Sequence, residues 1–327
     1  MTEREHHISE FLRGAGWADA TSHKMAGDLS VRKFSRLKKL DGSRAILMDA
    51  DPAVDPSTPM FVAMTKWLAE CGLSAPRVFD AQENEGLVLL EDFGEEKLAG
   101  LIQRYPEKQP DYYDLAIDAL LIIRNAALPA LDRPSARQMA EATELADEWY
   151  PQANCVALAQ MRVTLGAALE GLLEMKPTVS LRDFHADNLM WLNDRKGVCK
   201  LGLLDYQDAI LTHPVYDLMS LLTDARVAVP RALRAEMIEK YAAKTSDSVV
   251  NVAHAVAVLG AQRNLRILGI FARSASRYGK SQHLDSLARV YGYLSECLSH
   301  PVFSDGCPKL PEMMPEPNAN ILSELRP

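Results

Sequence analysis

The chain has 327 residues, a net charge of −8, 48% hydrophobic and 24% charged side chains. That length exceeds one small domain and suits two lobes, while the acidic balance argues against a nucleic-acid partner, whose phosphates want a basic surface. Met1 to His7 carry no apolar signal-peptide core, no run of about 18 uncharged apolar residues offers a membrane span, and five cysteines without C-x-x-C spacing read as free thiols rather than a zinc site. A cytoplasmic chain is the expectation.

In chain order, Ile8, Phe11 and Leu12 share one face of a short helix that Gly14 and Gly16 end. Strands are predicted over Lys24 to Gly27, Arg32 to Leu37 and Ala45 to Met48, the last bounded by Asp41-Gly42 and Asp51-Pro52 as a central strand should be. The stretch from Asp51 to Pro59 holds three prolines and reads as a loop. Met60 to Glu70 is helical, with Phe61, Met64, Trp67 and Leu68 on one face and Gly72 as its stop. Two more strands, Arg77 to Asp80 and Leu87 to Leu90, flank a polar turn.

From Asp111 onward the pattern turns helical. Helices are predicted over Tyr113 to Leu128, Ala136 to Trp149, Ala153 to Glu174, Pro230 to Lys244, Val249 to Tyr278 and His283 to Leu298. Short strands near Leu189 to Leu192 and Lys200 to Leu204 interrupt them, and the proline-rich tail from Pro301 reads as irregular. The fold class is α+β: an N-terminal lobe over 1–91 with a small antiparallel sheet, and a mainly helical lobe over 92–327.

The chemistry sits in Leu181-Arg182-Asp183-Phe184-His185-Ala186-Asp187-Asn188. Phosphoryl transfer needs a carboxylate to orient and deprotonate the attacking hydroxyl, and oxygen ligands for the Mg²⁺ that bridges the phosphates of ATP. Protein kinases meet this with H-R-D-x-x-x-x-N and D-F-G. Arg182-Asp183 and Asn188 match the first motif by spacing, with Leu181 in the histidine's place, and Asp205 matches the start of the second. Asp and Asn are also common turn residues, so the spacing alone is weak. The order strengthens it: apolar Leu189 to Leu192, a turn at Asn193-Asp194, and an apolar strand that ends in Asp205.

The sequence resembles the aminoglycoside phosphotransferase superfamily, which has a protein-kinase-like two-lobe fold. Asp183-Phe184-His185-Ala186-Asp187-Asn188 resembles its catalytic loop, Leu204-Asp205-Tyr206-Gln207-Asp208-Ala209 its metal segment, and Pro214-Val215-Tyr216-Asp217-Leu218 its P-x-x-D-L helix start. Within it, Ala26 to Ser30, Ile46 to Asp49, Leu89 to Gly94, Glu148-Trp149-Tyr150 and Gln262-Arg263-Asn264-Leu265 are similar to the bacterial anomeric kinases of N-acetylmuramate and N-acetylglucosamine used in cell-wall recycling.

The resemblance implies ATP and Mg²⁺ as cofactors and a small molecule, an amino sugar, as acceptor; net charge and composition add the expectation of no nucleic-acid or membrane partner. It implies Asp183 as the base, Asn188 and Asp205 as metal ligands, and Asp217 as a carboxylate behind the catalytic loop, a role it can share with capping its helix. His185 is expected to pack inside the loop, and Asp208 to anchor a turn. Gly27, Asp28 and Ser30 would offer a phosphate-binding turn; Glu91 and Phe93 would face adenine through their backbone. Glu148, Trp149, Arg263 and Asn264 would contact the sugar, with Arg263 meeting the lactyl carboxylate of N-acetylmuramate.

The pattern departs from kinases at one point. The third strand, Ala45-Ile46-Leu47-Met48, lacks the V-A-I-K lysine, and the next helix lacks an early glutamate. Arg32 and Arg36, expected on one strand face, are the candidate replacement cations. The departure keeps a nucleotide-binding pseudokinase open as an alternative, against which the intact Asp183, Asn188 and Asp205 speak. An aminoglycoside kinase is the other alternative. Its polycationic substrate wants a dense acidic pocket, whereas Gln262 to Arg273 is basic.

Overall fold

The computed structural model of the chain describes residues 2–25 and 31–326. Its elements begin with α1 (Glu3–Gly14), β1 (Thr21–Lys24), β2 (Lys33–Lys38), β3 (Arg44–Asp49), α2 (Thr58–Glu70), β4 (Val78–Gln82), β5 (Leu87–Glu91) and α3 (Leu98–Arg104). A helical run follows: α4 (Gln109–Asn125), α5 (Ala136–Glu141), α6 (Leu145–Trp149) and α7 (Cys155–Leu172). Then come four short strands, β6 (Thr178–Ser180), β7 (Leu189–Trp191), β8 (Leu201–Leu203) and β9 (Ile210–Thr212). The rest is α8 (Tyr216–Leu222), α9 (Arg231–Thr245), α10 (Val249–Tyr278), α11 (Leu287–Leu298), α12 (Leu310–Met313) and α13 (Ala319–Leu325). The chain divides into two compact units: Met1–Lys97 with Leu189–Asp208, and Leu98–Asn188 with Ala209–Pro327.

The first unit is built on an antiparallel sheet in the order β1-β2-β3-β5-β4. Period-two alternation sends Ala45 and Leu47 of β3, Leu87 and Leu89 of β5, and Leu37 of β2 to one face, where Phe11 of α1 and Trp17 close a core. Met48, Val88 and Leu90 are buried as well, so β3 and β5 are covered on both sides, as their unbroken apolar runs require. Of the strand expected over Lys24 to Gly27, Ala26 and Gly27 lie outside the described residues; a strand runs up to Lys24, with Thr21 to Lys24 pairing Lys38 to Ser35. The β7–β8 hairpin is tied to this unit by Trp191 N–H to Glu96 carbonyl (2.7 Å) and Leu203 N–H to Ser74 carbonyl (2.7 Å).

The second unit gathers around α10, whose buried positions run from Val252 to Ala275. By length and composition alone α7 and α10 are long and apolar enough to cross a membrane; 89% of the most apolar window of α10 is buried within the fold, and 33% of that of α7. The single helix expected over Ala136 to Trp149 is two, α5 and α6: the chain turns at Thr143, fully buried, whose hydroxyl bonds back to the Ala140 carbonyl (2.6 Å). The helix expected from His283 starts at Leu287, after a 3₁₀ segment, Ser281–Ser286. Strands β6 and β9 pair antiparallel and place the chain that leaves Ser180 beside the start of α8.

Candidate active site

The loop from Ser180 to Asn188 leaves β6 and is held from behind by α8. Asp217, one residue into that helix, is buried and takes three hydrogen bonds: from the Ser180 hydroxyl (2.6 Å), Leu181 N–H (2.7 Å) and Arg182 N–H (3.0 Å). Burial pushes the Asp217 carboxyl up to about 6, against the pull of those three donors. Ser220, one turn on, donates to the Arg182 carbonyl (3.0 Å). These clamps hold Arg182 at φ +66°, a left-handed conformation that a side chain with a Cβ adopts at a cost of about 1–2 kcal/mol. The far end of α8 supplies a second anchor that the sequence reading missed. Asp224, also buried, accepts from Ala186 N–H (3.1 Å) in mid-loop and from Arg226 N–H (2.7 Å).

Within this frame Asp183 projects with its side chain 46% exposed, and Arg263 of α10 lies 3.4 Å from its Oδ1. Desolvation alone would raise its carboxyl; the guanidinium charges of Arg263, Arg182 and Arg266 outweigh that and hold it below the usual carboxylate range. Asn188 turns its amide nitrogen into the loop, donating to the Asp183 carbonyl (3.0 Å). His185 is buried between Asn188 and Arg226, with Nε2 3.3 Å from the Arg226 guanidinium. Burial lowers its pKa, and the ring packs inside the loop.

Asp205 belongs to the first unit. It follows β8 at φ +59°, and its Oδ1 accepts from Gln207 Nε2 (2.8 Å). The next residue, Tyr206, fixes this backbone: its ring stacks on Phe61 of α2 at 5.3 Å, and its hydroxyl lies 2.7 Å from that of Thr65. Arg32 precedes β2 and is buried against Asp55 (2.6 Å) and Ser57 (2.7 Å). Arg36 ion-pairs with Asp92 (2.8 Å) and donates to the Gly94 carbonyl (2.7 Å), bracing the segment after β5. The two arginines expected on one strand face therefore serve separate carboxylates. Glu91 pairs with Arg195 (2.5 Å). Phe93 lies under the Arg195 guanidinium at 5.0 Å and against Gly202 so closely that a Cβ there would sit 2.7 Å from the ring. Gly27, Asp28 and Ser30 lie outside the described residues.

In the second unit a cavity of about 460 Å³ opens beside the loop, with Arg182, Tyr216, Gln138, Gln262 and Arg266 on its walls. Of the residues expected to meet a sugar, Arg263 contacts Asp183. Asn264 is fully buried on the side of α10 that faces Cys297. Glu148 is exposed and accepts from Trp149 Nε1 (3.1 Å), and neither lines the cavity. Arg266, one helical turn from Arg263 in the same basic stretch, does line it.

The model of the phosphotransferase enzyme family, APH, matches residues 24–249. A Caulobacter vibrioides protein described as N-acetylmuramate/N-acetylglucosamine kinase is 33% identical, covering 93% of this chain and 95% of its own. A Pseudomonas aeruginosa protein of the same description is 26% identical over 89% of each chain. Among solved structures, a choline/ethanolamine kinase family protein from Mesorhizobium loti shares the fold, with a TM-score of 0.65 at 13% identity over 93% of this chain and 97% of its own.

Proposed function

We propose a substrate and a division of labour among residues for this chain, which belongs to the phosphotransferase enzyme family. It phosphorylates the anomeric hydroxyl of N-acetylmuramate and N-acetylglucosamine, using ATP. The description of the Caulobacter relative as an N-acetylmuramate/N-acetylglucosamine kinase supports the acceptor. The observation that carries the chemistry is a single carboxylate, Asp183, half-exposed on a loop whose backbone is fixed by Asp217 and Asp224.

Asp183 accepts the proton of the acceptor hydroxyl as that oxygen bonds to the γ-phosphorus. The bond between the γ-phosphorus and the bridging oxygen of ATP breaks, and ADP leaves with that electron pair. Its arginine neighbours make Asp183 a weak base. A weak base suits an anomeric hydroxyl, which is more acidic than an ordinary sugar hydroxyl. The cationic cavity favours neutral or acidic acceptors over polycationic ones.

Asn188 and Asp205 each offer an oxygen donor of the kind a hard cation takes. Asn188 has its amide nitrogen bonded into the loop, so Oδ1 is its ligating atom, and Asp205 adds a carboxylate steadied by Gln207. These two residues would hold Mg²⁺, which when bound neutralises charge on the phosphate oxygens. The N-terminal unit would serve the nucleotide, with Arg36 bracing the segment of Glu91 and Phe93.

Replacing Asp183 tests the assignment. With N-acetylmuramate as acceptor, Asp183→Asn lowers kcat by about 10²–10⁴-fold and leaves Mg-ATP affinity, measured by titration calorimetry, within about two-fold. A variant with near-wild-type kcat would remove Asp183 as the base.

A further inference from the structure

Three guanidinium groups, on Arg182, Arg263 and Arg266, lie within electrostatic reach of one exposed carboxylate, Asp183. Arg263 is in contact with that carboxylate. Arg266 is not: no carboxylate pairs with it among the described residues, and it faces the cavity instead. Its surroundings are hostile to a cation. Burial, and then the nearby charge of Arg182, lower its pKa, with Tyr216 and Asp183 opposing only in part. A half-buried guanidinium in a positive field is costly unless an anion completes it. The same wall carries Gln262, whose Nε2 donates to the Met139 carbonyl (2.8 Å) and whose buried Oε1 has no partner among the described residues. An acceptor oxygen left unsatisfied beside a cavity is poised for a ligand hydroxyl or amide N–H.

We propose that Arg266, beside Arg182, forms the anion-binding end of the acceptor cavity and takes the carboxylate of an acidic amino sugar, with Gln262 accepting from the sugar's hydroxyl or amide N–H. This rests on the acceptor reading above and goes one step past it. The structure assigns the discrimination between an acidic and a neutral sugar to Arg266 rather than to Arg263, which is engaged by Asp183. A guanidinium suits the task because its planar fork meets a carboxylate with two parallel hydrogen bonds.

The test compares Arg266→Gln and Arg266→Lys with the parent on N-acetylmuramate and N-acetylglucosamine, each at saturating Mg-ATP. The glutamine variant raises KM for N-acetylmuramate by about ten-fold or more and that for N-acetylglucosamine by less than about two-fold, since it removes a charge-assisted hydrogen bond to the carboxylate alone. The lysine variant recovers part of the loss, and KM for ATP is unchanged in both. A measurement on the unaltered protein guards against misfolded variants: the methyl ester of N-acetylmuramate has a KM about ten-fold above that of the free acid. Equal losses for both sugars, a rise in KM for ATP, or an ester as good as the acid would each overturn the inference while leaving the acceptor reading standing. Phosphorylation of neither sugar by the parent would overturn that reading, and this inference with it.

Discussion

His213 shows how burial fixes a charge state at a single residue. Its ring lines a cavity of about 350 Å³, and its Nδ1 accepts the Val215 N–H (3.2 Å). A proton on Nδ1 would break that bond. Burial first, and then the neighbouring Arg124, push its pKa down to about 4. Because the folded value lies below the ordinary one of about 6.5, the unfolded chain binds a proton that the folded chain refuses between the two. Stability from this group is therefore complete above pH 6.5 and is lost as pH falls toward 4, by at most about 3 kcal/mol. Urea unfolding at pH 7 and pH 5 should show the drop, and His213→Asn, which keeps an acceptor for Val215, should flatten it. An equal slope in the variant would place the acid sensitivity elsewhere.

At the same scale, the sequence made some site residues legible and hid others. Asp183 and Asn188 could be read because one short loop carries both, and Asp217 because it opens a helix at a recognisable turn. Asp224 carries no such sign. It lies just beyond α8, and its bond to Ala186 spans 38 residues, a contact that local spacing does not encode. Arg263 and Arg266 were both visible as basic residues of one helix. Which of them meets Asp183 and which faces the cavity depends on how α10 is rotated, and only packing sets that.

Among the elements, α10 governs the second unit, and its small residues set how near its neighbours come. Gly269 has no room for a side chain: a Cβ there would lie 2.4 Å from the Leu145 carbonyl carbon and 2.5 Å from the Ala146 nitrogen. These are backbone atoms at the start of α6, so a side chain cannot be accommodated by rotamer change alone. Gly269→Ala should cost about 1–3 kcal/mol by overpacking, despite the better helix propensity of alanine. A thermal midpoint equal to the parent's or above it would mean that α6 moves freely. The same approach explains why one predicted helix became α5 and α6: its apolar period continues through Ala142 to Glu144, and the break comes from a buried threonine and the need to meet α10. Strands β6 and β9, three residues each, are too short to show a period of two, and neither was predicted. The longer elements β3, β5, α2 and α10 were legible because each holds its periodicity over most of its length.

For the whole molecule, the order of a small antiparallel sheet before a mainly helical remainder was readable from the change of periodicity near Asp111. Membership of the phosphotransferase enzyme family accounts for it. The β7–β8 hairpin shows where chain order and packing part: it follows the loop from Ser180 to Asn188 in sequence yet belongs with the sheet-bearing unit. Asp183 and Asn188 thus fall in one unit and Asp205 in the other. The proposed chemistry assigns them one reaction, and its outcome is a defined product. The most direct measurement is ³¹P NMR of the product formed from N-acetylmuramate and N-acetylglucosamine with Mg-ATP, with kanamycin and choline run in parallel. The account predicts a sugar phosphate whose phosphorus couples to the anomeric proton, from both amino sugars and from neither of the other two acceptors. A phosphorus coupled to the protons at carbon 6, or phosphate carried only by kanamycin or choline, would contradict it.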